Sequence, residues 1–316
     1  MNKTAILLIA LSCTIVCTLA QNKRTVESSK ATFTLPSIPA ALTSPEGRAA
    51  YLVAHYWDRF DFADTALISC PEITEQAFVD FIDLLPYIPQ DKAIDTITGV
   101  MDAAMRADST MFAHFAEMSE KYLYDPNSPF RNEEYYIPVL QYIVSSPNVD
   151  EISRIRPQYQ LEMAMKNRPG MIAADFTYTL RNGKTGKMLG IAAKYTILYF
   201  NNPDCHDCQR VKNLMAKSSV INKLLEDTVS SKNKLAILSI YPDSDLPIWL
   251  NAVYPRKWIN GYDAERIIND RQLYDLKAIP TLYLLDSNKR VILKDAPIEV
   301  VETWLSEHAI NSRSEI

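Results

Sequence analysis

The stretch from Lys194 to Arg210, KYTILYFNNPDCHDCQR, constrains the fold more than any other part of the chain. An apolar run, Tyr195 to Phe200, breaks at Asn201-Asn202-Pro203 and opens into Cys205-His206-Asp207-Cys208. Six consecutive strand-type residues, a turn and two cysteines three apart describe a strand feeding a helix. Cys205 then stands at or near the helix N-terminus, where unpaired backbone N–H groups and the helix dipole favour a thiolate. Cys208 lies one turn further in, close enough to close a small disulfide ring. A low-pKa attacking sulfur and a second sulfur to release a trapped substrate are what thiol–disulfide exchange needs.

A chain of 316 residues has room for two domains, each with its own core. A net charge of -5 argues against a nucleic-acid binder, which carries a basic face. Only 7 glycines suits a helix-rich chain with few glycine-dependent turns. After the first twenty residues no stretch is apolar for long enough to span a bilayer. Those twenty read as a cleaved secretion signal: Lys3, an apolar core from Ala5 to Val16, and Thr18-Leu19-Ala20 before Gln21. An uncleaved anchor is the alternative. Neither Cys13 nor Cys17 sits in a convincing lipobox, so lipid anchoring is the weaker reading and a periplasmic location the stronger. Cleavage after Ala20 leaves Cys70, Cys205 and Cys208, too few for a disulfide scaffold. Cys70 reads as a buried small apolar residue or, less simply, as a regulatory thiol.

Residues 21–43 are polar and aperiodic, a flexible leader. Ser44-Pro45-Glu46 signals a helix start, and Arg48 to Phe62 is apolar around most of a helix circumference, as in a buried helix. Thr74 is placed to cap a helix carrying Ala77, Phe78, Phe81, Ile82 and Leu85 on one face. Asp91 to Ala107 repeats the pattern, Ser109 is placed to cap another helix, and Tyr135 to Val144 and Asp150 to Lys166 add two more, the last interrupted at Pro157. No internal repeat of fixed period is present. The expectation is an all-helical domain over 44–168. Arg168-Pro169-Gly170 marks a boundary, and beyond it the period changes. Ala174 to Leu180, a turn at Asn182-Gly183, a return over Met188 to Ala192, then Tyr195 to Phe200, Lys234 to Tyr241, Thr281 to Leu285 and Arg290 to Leu293 read as strands. Leu246 to Ile268 reads as a helix and loop, and Glu299 to Ala309 as a closing helix. Residues 169–316 are then a small α/β sandwich, and the whole chain is α + α/β.

A lone CxxC could be half a zinc site, but a structural zinc takes four ligands, and His55, His114 and His308 are scattered far from His206. No metal is expected. A peroxidatic cysteine wants Thr or Ser three residues upstream, where Asn202 stands. Phosphate loops and nucleophile elbows are missing from the sequence. Ala278-Ile279-Pro280-Thr281 stands about seventy residues past the CxxC and immediately before an apolar strand. With Gly170 to Phe176 as the opening segment, the strand into CxxC, and Ile279-Pro280-Thr281, the chain resembles the thioredoxin fold. More narrowly it resembles the TlpA/ResA-like branch of secreted bacterial thiol–disulfide oxidoreductases. Tyr51 to Phe62 resembles a domain of unknown function found ahead of such modules.

The resemblance implies that Cys205 and Cys208 are the catalytic pair and that their disulfide is the redox centre, with no other cofactor. It implies a cis Pro280 facing the sulfurs, with Ile279, Pro280 and Thr281 receiving an extended substrate segment; a trans proline starting an edge strand is the plainer reading. Thioredoxins keep a buried acid six residues before the first cysteine, whereas this chain has Tyr199. Asp204, His206 and Asp207 would modulate the thiols: two acids against one half-protonated His predict a modestly stabilised thiolate and a reducing rather than strongly oxidising pair. His206 could equally be a solvated loop residue. The expected partners are protein thiols and disulfides and an extracytoplasmic electron donor. The helical domain would select partners, shield the site or mediate a dimer. The alternative function is a redox-inactive protein- or peptide-binding module on the same fold.

Overall fold

Among the described residues, six α-helices make up the first half: α1 (Pro45–Ala54), α2 (Thr74–Leu84), α3 (Gln90–Ala107), α4 (Ser109–Leu123), α5 (Glu133–Ser145) and α6 (Glu151–Ala164). The computed structural model describes residues 32–229, 232–243 and 245–310; the expected signal segment, with Cys13 and Cys17, lies outside them. Ser44 caps α1 by accepting the Gly47 N–H at 3.0 Å, and Asp150 caps α6 by accepting from Ile152 and Ser153. Two expected caps differ. Asp108, not Ser109, caps α4, because its carboxylate reaches both the Thr110 and Met111 N–H groups. Thr74 is the first residue of α2, and its hydroxyl donates back to the Leu67 and Cys70 carbonyls instead of capping. Pro157 does not interrupt α6; the helix runs through it with one backbone donor fewer.

The helix expected across Arg48 to Phe62 stops at Ala54. Tyr56, Trp57, Phe60 and Phe62 follow in tight turns, because all four rings pack toward one cluster. A continuous helix would splay them around its circumference. Trp57 meets Phe60, Phe81 and Phe115 edge-on, with centroids 5.2, 5.7 and 5.2 Å away. Phe33 joins the cluster, stacking on Tyr56 at 5.1 Å, so this part of the expected flexible leader is tied to the helical core. Cys70 is half-buried rather than buried, a free thiol with Sγ 3.8 Å from the Ala66 carbonyl oxygen.

The second half is a mixed sheet with helices: β1 (Thr177–Leu180), β2 (Thr185–Lys187), β3 (Ala193–Phe200), α7 (His206–Lys217), α8 (Ser219–Glu226), β4 (Thr228–Val229), β5 (Lys232–Tyr241), α9 (Leu246–Asn251), β6 (Ile259–Tyr262), α10 (Ile267–Asp270), β7 (Thr281–Leu285), β8 (Val291–Leu293) and α11 (Ile298–Leu305). The strand order is β2-β1-β6-β5-β3-β7-β8, with β4 pairing on β5. β3 runs parallel to β5 and antiparallel to β7, so the central strand is flanked on both sides. Its side chains alternate between faces as a doubly covered strand requires. Ile197 and Tyr199 pack with Val211, Leu224 and Val301 on one face, while Leu198 and Phe200 pack with Phe176, Tyr274 and Tyr283 on the other.

The return strand after Asn182-Gly183 is Thr185–Lys187, earlier than the expected Met188–Ala192. Met188 is instead buried as a core residue in a 3₁₀ turn. β6 was expected to be helix and loop, and it pairs with β5 from Leu238↔Ile259 to Tyr241↔Tyr262. Two glycines, one in β2 and one in β6, flank Tyr178 of β1 between them. A Cβ on Gly186 or Gly261 would lie 2.5 or 2.9 Å from the Tyr178 ring, so only glycine lets Tyr178 lie across the sheet.

Candidate active site

Asn201 turns the chain off the end of β3. Its buried side-chain amide donates to Ser239 Oγ at 2.9 Å and to the Tyr199 and Ile240 carbonyls, and its oxygen accepts the Tyr254 hydroxyl at 2.7 Å. Asn202 then accepts the Asp204 N–H at 2.9 Å, a local turn that delivers Cys205 to the mouth of α7. Cys205 is the N-cap residue of that helix. Its Sγ accepts the Cys208 backbone N–H at 3.2 Å, taking the place a Ser or Asp oxygen holds at an ordinary cap. The sulfur there sits at the positive end of the helix.

The two sulfurs sit in different surroundings. Cys205 is half-buried, whereas Cys208 is 2% exposed. Burial pushes the Cys208 thiol well up, and its hydrogen bond with Cys205 pushes it further in the same direction; the Asn202 N–H, 3.5 Å away, partly opposes them. Both cysteines are free thiols. From the start of the neighbouring strand, the loop before β7 brings the Ile279 carbonyl oxygen to 3.7 Å from Cys205 Sγ, and the Ile279–Pro280 peptide bond is cis. Thr281 pairs with Phe200 in the sheet and is 1% exposed. Its hydroxyl donates to the Ala278 carbonyl at 2.6 Å, so its side chain holds the loop and is closed to an incoming substrate.

The three expected modulators face water. The His206 side chain is 97% exposed and 4.0 Å from the Asp207 carboxylate, which is itself 67% exposed and 3.5 Å from Arg210 Nε. Asp204 is also exposed. Their charges act on Cys205 through solvent and are weakened by salt. Tyr199, at the place of the family's buried acid, is fully buried, and its hydroxyl donates to the Cys208 carbonyl at 2.5 Å. Burial pushes the Tyr199 phenol far above its ordinary value and the Tyr254 phenol up to about 12. Both are neutral donors at pH 7. Asn201, Ser239 and Tyr254, which frame the site from below, were missed in the sequence. Tyr254 and Ser239 lie far along the chain, and the only local signal was an asparagine ending an apolar strand. Among the described residues, no group of three or more His, Cys, Asp or Glu could hold a metal ion.

Residues 16–167 match the family described as a domain of unknown function, DUF5106. The chain is similar to a thioredoxin-like protein from Bacteroides caccae of known crystal structure, with 47% identity and a TM-score of 0.84, covering 88% of this chain and 99% of that one. It is also similar to the C-terminal domain of an uncharacterized protein from Bacteroides fragilis, with 46% identity and a TM-score of 0.42, over 44% of this chain and 98% of that one. No curated protein matches. The chain therefore belongs to the thioredoxin-like proteins, with a DUF5106 region ahead of its thioredoxin-like domain.

Proposed function

We propose that the protein is an extracytoplasmic thiol–disulfide oxidoreductase that works in the reducing direction through Cys205 and Cys208. The observation that carries this reading is the division of labour between the sulfurs: an accessible one capping a helix under the Ile279 carbonyl, and a buried one a turn behind it. The Cys205 thiolate attacks one sulfur of a partner disulfide, forming a mixed disulfide and releasing the other partner sulfur as thiolate. Cys208 loses its proton to solvent and attacks Cys205 Sγ. That closes the Cys205–Cys208 disulfide and expels the second partner sulfur. Two electrons pass from the protein dithiol to the partner, and a dithiol donor outside the cytoplasm restores them.

The direction rests on Asp204 and Asp207. Both are exposed carboxylates adjacent in sequence to the cysteines, and negative charge around such a pair makes it less oxidising. The expected potential is below about −200 mV, far from the about −120 mV of strong oxidants. Reduction of insulin disulfides by the full chain tests the activity. Cys205→Ser should abolish turnover; equal rates for wild type and variant would leave a binding module on a thioredoxin-like fold.

A further inference from the structure

The helical region reaches the site through one segment. Residues 272–277 run directly into Ile279–Pro280, and five side chains from the helical half hold them, one being Tyr159, whose hydroxyl accepts from Gln272 Nε2 at 3.2 Å. Lys166 Nζ donates to the Gln272 carbonyl at 3.0 Å, and Asn167 Nδ2 to the Leu273 carbonyl at 2.8 Å. The Tyr124 hydroxyl donates to Asp275 Oδ2 at 3.4 Å, and its ring centroid lies 3.9 Å from Lys277 Nζ. Lys277 pairs with Glu133 Oε1 and, at 3.2 Å, with Asp275.

Glu133 is in the first turn of α5, where the helix dipole favours a carboxylate. Its second oxygen takes Lys294 Nζ at 2.7 Å, and Lys294 also donates to the Ala164 and Lys166 carbonyls at the open end of α6. The side chains of Glu133, Lys277 and Lys294 are 9%, 14% and 6% exposed. Burial raises the Glu133 carboxyl, but Lys294 and Lys277 outweigh it and hold the group below its ordinary range. One carboxylate therefore serves two buried ammonium groups, and neutralising it removes the carboxylate paired with Lys294 and leaves Lys277 with Asp275 alone.

Building on the oxidoreductase reading, we propose that Glu133 is a positioning residue: by holding Lys277 it fixes the Ile279 carbonyl over Cys205 Sγ, so that the helical region sets how the site receives a substrate strand. The lever is short. Lys277 stands two residues before Ile279, a reach of about 7 Å at most. The carbonyl oxygen is the negative end of its dipole and opposes a thiolate, so a loosened loop both misplaces the substrate strand and frees Cys205.

The test uses the full chain with Glu133→Gln, which keeps the shape of the side chain, and Lys277→Met. Glu75→Gln is the control, since it breaks an ion pair with Lys121 inside the helical region that does not touch the loop. Glu133→Gln and Lys277→Met should each raise KM for insulin by about tenfold with kcat within about twofold, and should each speed alkylation of Cys205 by iodoacetamide at pH 7 by about threefold or more. The double variant should be no worse than the worse single one. Glu75→Gln should move neither quantity. Should Glu133→Gln fail to fold, Lys277→Met carries both readouts. Unchanged KM and alkylation, or equal changes in the Glu75 control, would overturn the proposal. Should the wild type reduce no insulin, the oxidoreductase reading falls and the alkylation comparison alone decides the positioning claim: a faster rate sustains it, an equal rate ends it.

Discussion

Replacing Tyr199 by phenylalanine separates two parts its hydroxyl could play. The hydroxyl is fully buried and donates to the Cys208 carbonyl at 2.5 Å, a backbone oxygen rather than the sulfur. That carbonyl lies in the first turn of α7, where helix geometry also offers it the N–H four residues on, so Tyr199→Phe strands no acceptor. The expected loss is one net hydrogen bond, about 0.5–1.5 kcal/mol. In a domain of this size that lowers Tm by about 1–6 °C, readable by circular dichroism. Insulin reduction should stay within about threefold of wild type, because a group that moved the Cys208 proton would be worth about a hundredfold or more. A loss on that larger scale, with Cys205 alkylation unchanged, would refute the reasoning and make Tyr199 the functional substitute for the missing acid.

The other consequences concern the cores and the interface between the two halves. Trp57→Ala removes a ring that touches Phe60, Phe81 and Phe115, and should cost about 3–5 kcal/mol in urea unfolding; a cost under 1 kcal/mol would deny the aromatic cluster its role. Asp295 is pushed from 3.8 up to about 6 by burial, against the pull of Arg131 and Lys277. The stability it contributes is therefore fully present below its ordinary value and is lost as pH rises through about 6. The stability advantage of wild type over Asp295→Asn should shrink between pH 4 and pH 7, and an advantage that grew over that range would reverse the assignment. Glu133 has the opposite sign. Held low by its two lysines, it stabilises above its ordinary value and loses that contribution as the solution is acidified.

The division into a helical half and an α/β half was legible because hydrophobic period is a local signal, and the CxxC stretch because a strand, a turn and two cysteines are contiguous. Where the reading slipped, a tertiary demand overrode the local one. Arg48 to Phe62 has helical composition, but its rings serve one cluster and the helix ends at Ala54. Ile259–Tyr262 has too few residues to announce a strand, and its pairing comes from β5 and from the room Gly261 leaves for Tyr178. At the site, the two sulfurs and Ile279 could be named from motifs. The support beneath them could not: Asn201, Ser239 and Tyr254 meet only in the folded chain. The Glu133–Lys277 contact joins residues 144 apart, and nothing near either one hints at the other.

The account stands most directly on which sulfur meets a disulfide first. Full-length Cys208→Ser protein, incubated with oxidised glutathione and read by intact mass and peptide mapping, should accumulate one glutathione on the peptide containing Cys205. The wild type under the same conditions should carry no lasting adduct and should end with Cys205 joined to Cys208. An adduct on Cys70 in place of Cys205, or a Cys205 adduct equally persistent in wild type, would contradict it.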